Sequence, residues 1–410
     1  MRRAMSVALL ALLAACGDEG EGRPAQQVLG PGPAPPGGGP DPFDDGVLAT
    51  WRITMDPADW DRIVADPHDN TWRRGTVEWQ GELYADVAIR PSGNRSRIPG
   101  NPKPSLRLEF DEFLPAREFH GFSTIKLDAM IHDSTMMRAR LEYPVYAARG
   151  VPAPRYVHAR LYVNGRYQGL YGVEERVGKE FVRKRLGRPV QQLYRWAASA
   201  TMHDLLWVGP EPIANYVPRM WIPEIEELPP DAEGVRELCR RLHEDAARVP
   251  EIFDVESFLN LIAAETLLGE GDQYVAGREG ERSANIHLYK SPASGKYMIL
   301  PWDCDQGFWR PETAVTHGFE NRVLTRVLVL WNPAHMARYR QILRELIAGP
   351  FATERVHARV DYILEQIRTA AHEDPLKPWT SETFEARVQA LKRYVADRNA
   401  AFLGQLAGPP

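Results

Sequence analysis

The stretch from Ala284 to Phe308, ANIHLYKSPASGKYMILPWDCDQGF, constrains this chain more than any other. IHLYK and YMIL are short runs of apolar and aromatic residues, and SPASG between them is turn chemistry, so the segment predicts a β-hairpin. In an antiparallel pair, residues equidistant from the turn face each other, which returns Asn285 to within a residue or two of Asp303. Alternate side chains of an extended segment share a face, so Asp303 and Asp305, flanking Cys304, are expected to present two carboxylates together. Carboxylate and amide oxygens are hard donors suited to Mg²⁺ or Mn²⁺, ions that take one or two carboxylates from protein and leave positions for phosphate and water. Upstream, Asp272 sits in the Gly-rich GEGDQYVAG just after a predicted helix, a position for a base or an orienting carboxylate facing the same ion. Taken singly, these residues have plain structural explanations as turn formers, helix caps or loop acids. As a set gathered by one hairpin, they point to a metal-phosphate site.

Composition bounds the rest. With 410 residues, 44% of them hydrophobic, the chain can bury one large core or two lobes. A net charge of −5 carries no broad basic footprint, so nucleic acid is not an expected partner. The locally basic RVGKEFVRKRLGR, Arg176 to Arg188, reads first as a solvated helix face and second as a contact for phosphate or an acidic substrate. Arg2 and Arg3 precede an apolar run from Met5 to Ala15, the layout of a secretory signal, too short for a permanent span. Its end, Leu13, Ala14, Ala15 and Cys16, resembles a bacterial lipobox, which implies residues 1–16 as a lipoprotein signal and membrane attachment through a lipidated Cys16. The plainer alternative is an ordinary cleaved signal peptide. Either way the expected location is extracytoplasmic, and the lipid would hold it at the bacterial cell envelope. Residues 17–45, rich in Gly and Pro, read as a disordered linker. Cys239 and Cys304 then remain, so no disulfide framework is available. There is no CxxC, HExxH or GxSxG.

From about Gly46 to Glu175 the signals are mostly strand. SLRLEF alternates polar Ser105, Arg107 and Glu109 with Leu106, Leu108 and Phe110, the period of a half-buried strand. Before it, RPSGNRSRIPGNPKPS has the composition of a loop whose backbone N–H groups can approach an anion, or of an ordinary surface loop. DSTMMRARLEYPVYAARG predicts a helix capped by Asp133 or Ser134, kinked or ended at Pro144 and closed by Gly150. RYVHARLYV and RYQGLYGVEE flank Asn164 and Gly165, the best fit to a type I′ hairpin turn. The second half is mainly helical: a helix capped by Asp254 and stopped by Gly269, then helices near 333–348, 352–373 and 381–406. The middle region holding Trp196, Trp207 and Trp221 shows no resolvable pattern.

The order Asp272, Asn285, hairpin, Asp303 is also the order of the catalytic loop and the metal-binding Asp in protein kinases. SGNRSRIPGNPKPSLRLEF, the DSTMMRARL helix with GVPAP after it, LYVNGRYQGLYGVEE, the GDQ loop with NIHLYK, and KYMILPWDCDQGF together make the chain resemble the spore coat protein H (CotH) kinase family of secreted, kinase-like proteins. The resemblance runs from roughly residue 80 to the last helix. It implies an α+β, atypical protein-kinase-like two-lobe fold, with a strand-rich N-lobe over 46–178 and a mainly helical C-lobe over 179–410. It implies Asp272 as the catalytic-loop acid, Asn285 and Asp303 as metal ligands, and Asp305 as their assistant. Lys103 or Arg107 would hold nucleotide phosphates, and the strand ending near Glu175 would lead to the hinge that meets the adenine. The implied activity is phosphoryl transfer from ATP, with Mg²⁺ or Mn²⁺, to a hydroxyl of a protein substrate. The alternatives are a non-catalytic surface binding or assembly protein of the same shape, and metal-dependent phosphoester hydrolysis.

Overall fold

The fold is seen in a computed structural model that describes residues 40–93, 95–196, 204–275 and 285–408. The signal and lipobox at 1–16, most of the linker and the AGREGERS stretch after Asp272 lie outside the described residues. The architecture is α+β, strand-rich first and helical afterwards, as the sequence patterning predicts.

Seven strands of the N-terminal region close into a barrel: β1 (Ala49–Met55), β2 (Arg73–Trp79), β3 (Glu82–Pro91), β4 (Leu106–Glu109), β5 (Thr124–Asp128), β6 (Tyr156–Val163) and β7 (Arg166–Glu175). Neighbours run antiparallel except β1 and β6, whose parallel pairing closes the ring and leaves no open edge. Alternation does the work here: along β2 every second residue, from Arg73 to Trp79, is buried. The interior is aromatic, with the Phe119 ring about 5 Å from those of Trp51, Trp79, Tyr84 and Phe110. Asn164 (φ 48°) and Gly165 (φ 77°) make the turn between β6 and β7 with positive φ at both positions. The Asn164 side chain also accepts a hydrogen bond from Met55 N at 2.9 Å, tying the turn to the end of β1.

Between β5 and β6 lies α2 (Arg138–Ala147), the second helix after the short α1 (Pro57–Ala65). The N-cap position is Met137 and not the predicted Asp133 or Ser134, but Asp133 still satisfies the helix start by accepting the N–H groups of Met137 and Arg138 at 2.8 Å each. Pro144 sits inside the helix, which continues to Ala147 rather than ending there, held by burial of every residue from Ala139 to Tyr146. Although it precedes the expected lobe boundary, α2 packs into the helical core, next to Phe258, Ile262 and Tyr339 in one apolar cluster.

The helical region contains α3 (Lys179–Leu186), α4 (Ala232–Glu244), α5 (Val255–Leu268), α6 (Pro333–Ala348), α7 (Thr353–Glu373) and α8 (Ser381–Ala407). The last three agree with their sequence expectations to within a residue. Asp254 caps α5 by accepting from Ser257 N at 3.0 Å, and Gly269 ends it in the left-handed region at φ 67°. The unresolved middle region supplies β8 (Leu193–Trp196) and β9 (Trp221–Pro223), which join β10 (Ile286–Lys290) and β11 (Tyr297–Pro301) in the order β11-β10-β8-β9. The basic α3 buries Phe181 and Val182 in one cluster with Leu193, Tyr289 and Leu300 of the four-stranded sheet, and its Arg185 reaches Glu175 of the barrel at 2.9 Å, so this helix is held by both rather than standing as a wholly solvated face.

One boundary needs correcting. The linker expected over 17–45 does not extend to residue 45, because residues 40–45 are built into the fold. Phe43 is buried against Phe122, Asp41 pairs with Arg155 at 2.8 Å, and Asp45 pairs with the buried Arg140 at 2.9 Å and with Arg359. A Gly/Pro-rich composition conceals three anchoring side chains whose partners lie from about 80 to 314 positions away in sequence.

Candidate active site

The hairpin places its ends as its sequence requires. Ile286 pairs with Pro301 in the antiparallel register of β10 and β11, and one step further Trp302 N donates to Asn285 O at 3.1 Å. Asn285 N in turn donates to Asp272 O at 3.0 Å. Backbone hydrogen bonds therefore hold the Asp272 loop, Asn285 and the segment leading into Asp303 side by side.

These residues line one wall of a cleft of about 750 Å³ between the barrel and the helical region. Asp272, Asn285, Asp303 and Asp305 come from the helical side, and Lys126 and Asp128 from β5 of the barrel. The loop after β3 brings Arg95 and Arg97 to the same cleft, and Arg195 on β8 adds a further cation. Asp303 adopts φ 54°, so the segment through Cys304 is not the regular strand that alternation assumes, although Asp303 and Asp305 still face one cleft.

Lys126 is the organising cation. Its ammonium lies 2.7 Å from Asp303 Oδ1 and 2.7 Å from Glu174 Oε2. Burial alone would lower its pKa, but the carboxylates of Asp303, Glu174 and Asp128 outweigh that and hold it well above the ordinary lysine value. Glu174 is positioned by the Tyr143 hydroxyl, which donates to it at 2.6 Å and accepts from Cys304 N at 3.3 Å. Asp305 is pushed well above the usual carboxylate range by desolvation and by the negative charges of Asp303, Asp128 and Asp272. One lysine does not neutralise this gathering of acids. An all-oxygen donor set of this kind is what a hard divalent cation fits, and Asn285, Asp303 and Asp305 are the residues that would hold it.

The side chains do not, however, form a closed carboxylate cage. Among the described residues, the one group of three or more His, Cys, Asp or Glu ligand atoms within 4.8 Å of one another is Glu142, Glu270 and Cys304, behind the cleft wall. The cleft acids are spread more widely, as suits an ion completed by phosphate and water rather than by protein alone.

The predicted phosphate and nucleotide residues fare differently. Lys103 does not reach the cleft: its ammonium is fully buried, 2.6 Å from Asp374 Oδ2 and 2.8 Å from Leu170 O. The strand lysine that does line the cleft is Lys126 on β5. Arg107 on β4 pairs with Glu109 and lines a smaller neighbouring pocket of about 200 Å³. Glu175 borders that pocket too, together with Arg176 and Val177 after β7, but its carboxylate is committed to Arg185 and to Arg155 N at 3.1 Å. Lys126, Arg195 and Trp302 are shared between the pocket and the cleft. Sequence reasoning missed Lys126, Asp128 and Glu174. The available signal was TIKLD, in which Lys126 and Asp128 share the face opposite buried Leu127, and a charged pair closing the apolar strand GLYGVEE.

A family model described as "CotH kinase protein" matches residues 89–402. The chain belongs to the CotH kinase protein family. The inner spore coat protein H of Bacillus subtilis (strain 168) is 22% identical over 377 residues, covering 86% of this chain and 96% of the relative. The CotH match spans β4 to α8, and so takes in the cleft residues of the barrel's β5, the Asp272 loop, the hairpin and the Asp303–Asp305 segment. Within the CotH family reading, Asp272, Asn285 and Asp303 occupy the cleft together, whereas Lys103 does not.

Proposed function

We propose that this chain is a metal-dependent protein kinase that transfers the terminal phosphoryl group of a nucleotide such as ATP to a hydroxyl of a protein substrate. The observation that carries this reading is the sharing of one cleft by Lys126, Asp272, Asn285 and Asp303, with the cations Arg95, Arg97 and Arg195 around it. Family membership supports it. We read the barrel and the helical body as counterparts of kinase N- and C-lobes.

The smaller pocket beside Val177 suits a base and ribose, and the basic side chains of the cleft suit the phosphate chain. Asn285, Asp303 and Asp305 would hold a divalent cation, which would supply neutralisation of phosphate charge. Lys126, fixed between Asp303 and Glu174, orients phosphate oxygens in the role of the strand lysine. Asp272 orients the acceptor hydroxyl and takes its proton. The hydroxyl oxygen bonds to the terminal phosphorus while the bond to the bridging oxygen breaks, and the nucleoside diphosphate leaves with that electron pair.

Labelled ATP with Mn²⁺ or Mg²⁺ tests this. Wild type should label itself or an added acceptor protein, and Asp272→Ala, Asp303→Ala and Lys126→Met should not; equal labelling in all four would falsify the assignment. The coat-protein name of the Bacillus relative favours a second reading, an assembly protein without turnover. Calorimetric titration separates the two, since an assembly protein has no need of metal-dependent ATP binding. We further propose that lipid on Cys16 tethers the chain to a bacterial membrane. Mass spectrometry of the mature N-terminus checks this, and Cys16→Ser should shift the protein from membrane to soluble fractions.

A further inference from the structure

Behind the cleft wall, Glu142 of α2, Glu270 after α5 and Cys304 come together in the protein interior. All three are essentially inaccessible to solvent, at 0%, 2% and 0% exposure. One oxygen of each carboxylate is satisfied by a nearby backbone N–H: Gly307 N donates to Glu142 Oε1 at 3.2 Å, and Gly271 N to Glu270 Oε2 at 3.1 Å. The other two oxygens, Glu142 Oε2 and Glu270 Oε1, are buried and, as ionised carboxylates, have no donor; the two side chains lie within hydrogen-bonding reach of each other, so either a shared proton or a cation must sit between them. Arg138, the nearby cation, is turned instead toward Asp133 and the carbonyl of Asp305. Two buried, adjoining carboxylates beside a buried thiol are costly unless a cation or a shared proton lies between them, and the thiol makes the site one that a metal ion can use.

We propose that Glu142, Glu270 and Cys304 form a structural metal site for Zn²⁺, distinct from the Mg²⁺- or Mn²⁺-type site of the cleft. The donor chemistry separates the two. A thiolate is a soft ligand that Zn²⁺ accepts and Mg²⁺ does not, while the cleft set is oxygen only. Ligand atoms within 4.8 Å of one another can bind one small ion after modest contraction. On binding, Cys304 gives up its thiol proton and both glutamates bind as carboxylates, so the ion replaces protons that burial would otherwise force them to keep.

The placement gives the ion a task. Cys304 lies between Asp303 and Asp305, and Glu270 lies two residues before Asp272. A metal gripping Cys304 and Glu270 from behind, with α2 as the third anchor, fixes the backbone of the cleft acids from the side that substrate does not visit. This site does not rest on the phosphoryl-transfer reading, and it stands or falls separately.

The experiment is metal analysis of the purified full-length chain, followed by chelation and titration with Co²⁺ as a spectroscopic stand-in for zinc. Stoichiometric zinc is expected in the untreated protein. Co²⁺ should then give a near-ultraviolet thiolate-to-metal charge-transfer band that is present in Asp303→Asn and Cys239→Ser, weakened in Glu142→Gln and absent in Cys304→Ser. The wild-type titration needs no variant to fold. A wild-type protein that is folded, zinc-free and without the band overturns the proposal, leaving two glutamic acids that share a proton only. A band that survives Cys304→Ser overturns it as well.

Discussion

Lys103→Met is the sharpest test of how the barrel is joined to the helical region. Lys103 and Asp374 are both wholly buried and 2.6 Å apart, and Asp374 also accepts from Leu170 N at 3.0 Å and Leu376 N at 2.9 Å. The pair therefore couples the loop before β4, the middle of β7 and the end of α7. Gly169 leaves room for it: any Cβ there would overlap the Asp374 carboxylate. Removing the cation strands a buried carboxylate, at a cost of about 3–5 kcal/mol. For the roughly 350 described residues, an unfolding entropy of about 2.1 cal/mol/K per residue gives close to 0.7 kcal/mol/K, so Tm should fall by ~4–7 °C for a single cooperative step. Replacing both partners, Lys103→Met with Asp374→Leu, should restore much of that loss, because an apolar pair pays no charge desolvation. Differential scanning calorimetry reads the stability, and calorimetric ATP titration reads the site. Unchanged Tm with weakened ATP binding would refute the reasoning and return Lys103 to the phosphate role that the sequence resemblance assigned to it.

Other outcomes follow from the same side chains. Lys126→Met should leave the protein folded and lower phosphoryl transfer by about 10²-fold or more in the labelling assay, since it removes a preorganised charge from the site. Asp45→Ala should destabilise by about 3–5 kcal/mol in urea denaturation, because it leaves Arg140 and Arg359 buried without their shared carboxylate. His287 is pushed down to about 3 by burial and by Arg176 and Arg195, so its folded value lies below the unfolded 6.5. The neutral ring's contribution is complete above pH 6.5 and is lost as pH falls toward 3, which predicts about 2 kcal/mol less stability at pH 5 than at pH 7. His287→Phe should flatten that difference; an unchanged pH dependence in the variant would assign it to other groups.

Much of this was legible because the deciding information was local. The Asn164–Gly165 turn, the Asp254 cap with its Gly269 stop, and the hairpin that returns Asn285 to Asp303 each depend on residues close in sequence. What escaped reading was long-range pairing. Lys103 looked free beside a polar loop because its partner, Asp374, is 271 positions away. Residues 40–45 looked like tether because Asp45 finds Arg359 at a separation of 314. β8 and β9 are too short to show a period, and they become strands only by adding to the edge of β10. Lys126 could have been found, but a lysine in a short strand announces a site only when its neighbours across the cleft are known.

The two clusters around Cys304 explain each other. Going through Asp303, Cys304 and Asp305, the chain sends its acids to the cleft and its thiol to the interior, and the stretch from Glu270 to Asp272 divides in the same way. Neighbouring carboxylates repel, which after burial is what raises the pKa of Asp305, and a set left to that repulsion would splay. Something must hold the backbone from behind. Tyr143 does part of this, joining Cys304 N to Glu174 and hence to Lys126. Its neighbour Glu142, one position earlier on α2, reaches the thiol side of the same segment. One turn of α2 thus touches both the front and the back of the Asp303–Asp305 segment. The order of the cleft therefore depends on how α2 is seated, and α2 is held from two sides, by the apolar cluster it shares with the helical region and by barrel contacts such as Tyr143 to Glu174 and Arg140 to His158. A substitution in the apolar cluster that α2 shares, such as Phe258→Ala, should therefore reduce phosphoryl transfer more than a comparably destabilising change in the separate barrel cluster, such as Phe119→Ala. Activity per folded molecule, measured beside the calorimetric stability of each variant, decides it; equal losses would mean that the cleft is indifferent to the helix behind it.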